Sequence, residues 1–190
     1  MKTIYLLTAA LCLLITTNAF AQQDSAAAQK AWMEYMTPGP NHQSMAKADG
    51  DWITDMTFWE RPGAPPTKAT GTCTNKMILG GRYQDSRFTA TMMGMPFEGI
   101  GTLAYDNSRK VFISSWIDNM STGMMILEGR WNQDAMALEL NGKVKDPVSG
   151  KEMNIREVMK WKDDGHQLME MYRTADGKEF KEMEINFTRK

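Results

Sequence analysis

The sequence predicts an all-β fold: a closed antiparallel up-and-down barrel of about ten strands with a short N-terminal helical segment. Three observations carry this. From Gly50 onward the apolar pattern has a period of two, as in half-buried strands. Turn signals recur between the alternating runs at short, regular intervals, as in a meander. No stretch after Gly50 is long and periodic enough for a crossover helix, which a parallel sheet would need.

Residues 1–21 read as a secretory signal. Met1-Lys2-Thr3 gives a positive start, Ile4 to Ile15 is almost continuously apolar, and Ala19-Phe20-Ala21 has the small-x-small form of a cleavage site. The apolar run is too short for a membrane span, so cleavage after Ala21 and a periplasmic or secreted location are expected, with no stable membrane insertion afterwards. Residues 22–49 form a helical lead. Asp24 or Ser25 can cap a helix that carries Ala28, Trp32, Tyr35 and Met36 at helical spacing, and Thr37-Pro38-Gly39-Pro40 ends it. A second short helix is expected from Asn41 to Ala48, and for catalysis His42 is read as a linker residue ahead of the barrel.

Residues 50–190 are the expected barrel domain. The strands read as Trp52–Trp59, Thr70–Asn75, Arg82–Met92, Phe97–Tyr105, Lys110–Asp118, Met124–Trp131, Ala135–Lys145, Glu152–Trp161, His166–Arg173 and Glu179–Thr188. The turns between them include Gly80-Gly81, Gly94 with Pro96, Asp106-Asn107-Ser108, Asp163-Asp164-Gly165 and Ala175-Asp176-Gly177. An open sheet of this size leaves two edges to aggregate, and closure removes them. A barrel of about eight strands already has room for one small ligand, so a wider one should enclose a lumen.

Composition excludes several function classes. The net charge of −1 over 190 residues offers no basic surface for nucleic acid. The two cysteines are Cys12, within the signal, and Cys73, so the mature chain cannot form an internal disulfide and Cys73 is expected buried and inert. Two distant histidines, His42 and His166, with one cysteine cannot build a zinc cage, and no Gly-x-Ser-x-Gly elbow is present. Gly99-Ile100-Gly101-Thr102-Leu103-Ala104 formally fits part of a dinucleotide fingerprint but lies inside an alternating strand with no helix after it. No catalytic residue, metal site or cofactor is assigned.

Methionine is unusually frequent, with 18 residues and two clusters: Met92, Met93 and Met95, and Met120, Met124 and Met125. Core filling, a flexible apolar lining for a ligand and a thioether site for Cu(I) are the three readings. Successive residues of a strand face opposite ways, so Met92 and Met93 cannot share one ion without a bulge.

Glu157 interrupts the apolar stripe of Met153, Ile155, Met159 and Trp161, and Glu170 shares a face with Leu168 and Tyr172. Either these carboxylates anchor a ligand in a mainly apolar pocket, or they belong to an outward salt-bridge ladder. The candidate ligand-lining set is Trp116, Met125, Leu127, Glu157, Met159, Glu170 and Tyr172. The expected function is the binding of a small apolar or amphipathic ligand in the lumen. The alternatives are an enzyme using Glu157 or Glu170 as a base, or an envelope protein with a solid core.

Gly71-Thr72-Cys73-Thr74-Asn75-Lys76-Met77-Ile78-Leu79-Gly80-Gly81-Arg82, Met92-Met93-Gly94-Met95-Pro96-Phe97-Glu98-Gly99, Gly123-Met124-Met125 with Glu128-Gly129, and Met169-Glu170-Met171-Tyr172 together resemble a bacterial family, domain of unknown function 1579. The resemblance runs from about Met45 to Lys190. It implies an exported, lipocalin-like (calycin) barrel and no established activity. Gly50-Asp51-Trp52 is similar to the Gly-x-Trp that opens many calycin barrels, in which an Arg of the last strand covers the Trp; Arg189 is placed for that part. Nitrobindin-type barrels are similar in strand count and bind haem through a late histidine, but His166 precedes the ninth strand and no second motif supports haem.

Overall fold

The computed structural model describes residues 25–175 and 177–190. The expected signal sequence and cleavage site, Cys12 and the expected Asp24 cap lie outside the described residues. Helix α1 (residues 25–36) is a separate unit from Pro38–Lys190. It carries a Lys30–Glu34 pair one turn apart and an edge-to-face contact of Trp32 with Tyr35.

The second unit begins with α2 (Pro40–Ala46) and continues through β1 (Gly50–Phe58), β2 (Thr67–Ile78), β3 (Tyr83–Met92), β4 (Met95–Asp106) and β5 (Val111–Asp118). The chain then forms β6 (Met125–Asn132), β7 (Ala137–Lys145), β8 (Glu152–Asp163), β9 (His166–Ala175) and β10 (Lys178–Arg189). Each strand pairs antiparallel with the next, and β1 pairs with β10, so the ten strands close into an up-and-down barrel. The fold is the one the alternation predicts. The Gly94 turn is tighter than expected: Met93 and Gly94 both take positive φ and Pro96 belongs to β4. Pro96 is tolerated because β4 outruns β5 there; their pairing starts at Gly99↔Asp118, so its missing N–H interrupts no bond to β5.

One end of the barrel is closed by α2. A helix of seven residues has no independent stability. Its last carbonyls, on Ser44, Met45 and Ala46, accept the backbone N–H groups of Lys47, Ala48 and Asp49, and the barrel adds further bonds to this end. The Gln84 amide donates to the Met45 carbonyl at 2.6 Å, and the Trp52 indole N–H donates to the Ala48 carbonyl at 2.9 Å. Arg189 donates through Nη2 to the Lys47 carbonyl (2.7 Å), through Nη1 to the Asp49 carbonyl, and through Nε to the Asp164 carbonyl (2.8 Å). Its guanidinium carbon lies 4.2 Å from the centre of the fully buried Trp52 ring. Arg189 is thus the last residue of β10 and clamps α2, the β8–β9 turn and the first strand together.

His42 is not in a linker. It is buried in α2, edge-on to Tyr105, and its Nδ1 accepts the Gly39 N–H at 3.0 Å, which caps the helix start. Burial holds its pKa below the ordinary histidine value, so the imidazole is neutral.

Replacing Arg189 tests the clamp. Arg189→Ala should lower the unfolding free energy by about 2–4 kcal/mol, the sum expected for several charge-assisted hydrogen bonds and one cation–π contact. Arg189→Lys should recover less than half, because an ammonium cannot serve three carbonyls in a planar fork. Urea unfolding reads both; full recovery by Lys would show that a point charge suffices.

Candidate functional site

The side chains inside the barrel do not fill it. A cavity of about 1140 Å³ extends from Ala48 under α2 to the opposite end, where the β5–β6 loop, Lys145 and Pro147 form its mouth. Half of the 18 methionines line it, together with Phe58, Phe88, Phe97, Trp116, Trp161 and Phe187. Thioether side chains adapt to irregular shapes, so this wall is both apolar and deformable.

Trp116 shows how the strands shape the lumen. Its ring lies over Gly99 and Gly101 on the adjacent strand. A Cβ at Gly99 would come within 2.3 Å of the indole, so glycine there is a requirement of close approach. Phe88 meets Trp116 edge-on, Phe97 stacks beside it, and its indole N–H donates to Asp118 at 2.9 Å. The glycines of the formal nucleotide fingerprint are therefore the floor under an aromatic wall.

Glu157 lies midway along β8, 7% exposed, and lines the cavity. Its cross-strand neighbours are Leu140 and Met171, and the same face of β8 carries Ile155 and Met159. Among the described residues its carboxyl has no hydrogen-bond or ionic partner. Burial alone pushes its pKa up to about 7. Arg173, the nearest inward cation along β9, is occupied: it pairs with Glu182 at 3.0 Å and donates to the Glu60 carbonyl at 3.1 Å. The indole N–H of Trp161, on the same face of β8, also lacks a partner among the described residues.

Of the sequence-derived lining residues, Trp116, Met125, Glu157 and Met159 border the cavity. Leu127 points inward but is fully buried in the core cluster and does not border the cavity. Glu170 and Tyr172 lie on the outer face, contrary to expectation. The hairpin from β8 to β9 contains a bulge between Trp161 and Asp163, so Trp161 pairs with Gln167 and Glu157 with Met171. That extra residue reverses the parity of β9 and places Gln167, Met169 and Met171 inside. These three are the lining residues the sequence reading missed. Glu170 instead bonds Lys181 at 2.9 Å and Lys160 at 3.4 Å. Burial works against its ionisation, but these two lysines hold its pKa below the ordinary value. Tyr172 carries the Arg156 guanidinium 4.1 Å above its ring, and Arg156 is bidentate to Glu179.

Of the two methionine clusters, Met120, Met124 and Met125 all border the cavity at its mouth, whereas the other divides. Met92 faces the lumen, while Met93 and Met95 are exposed, so the three do not converge on one ion. Cys73 is buried, donates to Asn75, and burial pushes its thiol up to about 12. His166 is exposed and held by Asp163 at 2.8 Å on the outside of the closed end, where it cannot ligate a group in the lumen.

The profile of a family described as "Protein of unknown function (DUF1579)" matches residues 37–189. The chain belongs to the DUF1579 family. No curated protein matches its sequence. Among solved structures it is similar to the crystal structure of Rv2717c from M. tuberculosis, at 13% identity and a TM-score of 0.56, covering 81% of this chain and 99% of that one. This likeness is one of fold. A redesigned beta barrel is a looser match, with 12% identity, a TM-score of 0.40, and coverage of 77% and 94%. The DUF1579 assignment agrees with the sequence resemblance and begins earlier, so it includes α2.

Glu157 makes stability depend on pH. Its folded pKa lies above its ordinary 4.5, so the folded state holds the proton more tightly than the unfolded chain. The stabilisation is fully present below about 4.5 and is lost as pH rises through about 7. The shift corresponds to about 3 kcal/mol. Glu157→Gln, which cannot ionise, should therefore gain up to about 3 kcal/mol over wild type between pH 5 and pH 8 in urea unfolding. An identical difference at both pH values would contradict the uncompensated carboxyl.

Proposed function

We propose that this DUF1579 protein is exported and binds a small apolar or amphipathic ligand inside its barrel. The observation that carries this reading is the cavity of about 1140 Å³, walled largely by aromatic and thioether side chains, with the Glu157 carboxyl, unpaired among the described residues, midway along it. Ligand sites are commonly concave, mainly apolar and oriented by a few polar groups, with volumes of about 300–1,000 Å³. Affinity would come from apolar burial, and orientation from Glu157 and the Trp161 N–H. A barrel packed solid, as a purely structural role would have it, does not match this interior.

A second reading keeps the same residue. A carboxyl with a pKa of about 7 beside a cavity is suited to general acid–base chemistry on whatever occupies it. Unlike the binding reading, it requires that a bound ligand be recovered chemically changed.

The binding reading is tested with the uncharged fluorophore N-phenyl-1-naphthylamine. The wild-type chain should enhance its fluorescence saturably. Ser114→Trp, which places an indole in the lumen from β5, should weaken binding at least tenfold while the circular dichroism spectrum stays that of a β-protein. No enhancement by the wild type, or equal affinity in the variant, would contradict lumen binding.

A further inference from the structure

Resting on the lumen-binding reading, we infer that the preferred ligand is an amphipathic amine: an apolar body bearing one cationic nitrogen that pairs with the Glu157 carboxylate. Charge complementarity in a closed space selects such a ligand. An unpaired carboxylate in an apolar interior costs several kcal/mol, and proteins ordinarily pair such a group or replace it. Here the described residues around it offer no partner. The inward residues of β7 beside Glu157 are Leu138, Leu140 and Gly142, and those of β9 are Met169 and Met171. Arg173, one position further along β9, is held by Glu182 and by the Glu60 carbonyl.

At the mouth, the Lys143 ammonium is held by Glu152 at 2.7 Å, and the acidic group there, Asp118, accepts from Trp116 and from the Met120 N–H. Lys145, which also borders the mouth, has no ion-pair partner among the described residues, so an anionic head group would be held there; carried inward to Glu157 it would meet a carboxylate with no cation beside it. A neutral head group would gain an ordinary hydrogen bond. A cationic one would supply the missing counter-charge and form a charge-assisted hydrogen bond, roughly twice as strong as a neutral one.

The far wall fits the rest of such a molecule. In the ring of ten strands β3 is diametrically opposite β8, five strands away in either direction. Phe88 on β3 meets both Trp116 and Phe187 edge-on. Ring faces attract cations as well as apolar chains, so the wall facing Glu157 favours an ammonium and rejects a carboxylate.

The test is competition against bound N-phenyl-1-naphthylamine by three molecules of equal chain length: decylamine, decan-1-ol and decanoate. At pH 8 Glu157 is ionised and the amine is protonated. In the wild type, decylamine should displace the dye at about a tenth of the decanol concentration, with decanoate weakest. In Glu157→Gln the amine advantage over decanol should fall to within twofold, because the amide can hydrogen-bond either head group but carries no charge. An amine advantage under threefold in the wild type, decanoate as the best competitor, or an advantage that survives in Glu157→Gln would overturn the inference and leave lumen binding intact. Failure of the wild type to bind the dye or any of the three would overturn both.

Discussion

The seam between β1 and β10 is the constraint on which the rest of this structure depends. Pairing from Trp52↔Arg189 to Phe58↔Met183 joins the first strand to the last and leaves the barrel no edge. It also fixes the circumference at ten strands, too wide for interior side chains to meet at the axis. One end then has to be stoppered, and α2 does so with Met45, Ala48 and His42 buried against the strands. The stopper holds because its terminal carbonyls are taken by Gln84, Trp52 and Arg189, residues that the seam and its neighbouring strands place at that end. Closure, lumen and plug are one arrangement.

Within it, two glutamates on adjacent strands have opposite fates. Glu170, on the outer wall, is covered by the stems of Lys160 and Lys181 and neutralised by their ammonium groups. Glu157 faces inward among Leu140, Met171 and Met159, with no cation among the described residues to neutralise it. A glutamine or leucine at that position would make a more stable barrel. Stability forgone at an interior position bordering a cavity is what a binding site requires, because a group already satisfied by the protein has nothing left for a ligand.

Much of this was legible in the sequence. Alternation and turn residues located all ten strands, with ends displaced by a few residues, because strand ends depend on the partner as well as on the segment itself. Glu157 was legible as a charge on an apolar stripe. What could not be read was parity between strands. Without the bulge before Asp163, β9 would present Leu168, Glu170 and Tyr172 to the lumen, which is the face the sequence suggested. The single extra residue at Lys162 turns Gln167, Met169 and Met171 inward instead. A bulge adds no distinctive residue to a turn already rich in Asp and Gly, so one sequence carries no mark of it. The role of His42 was hidden for a related reason: a histidine that caps a seven-residue helix is recognisable only once the barrel end that buries it is known.

The central claim is that the closed barrel encloses an apolar lumen with one uncompensated carboxyl. The most direct measurement is a carbon-13 NMR titration of the Glu157 side-chain carboxyl in the ligand-free protein, assigned by its disappearance in Glu157→Gln. The account requires a midpoint near 7, well above that of Glu170 on the outer wall. A midpoint at or below the ordinary glutamate value would mean that Glu157 is solvated or paired, and would contradict the account.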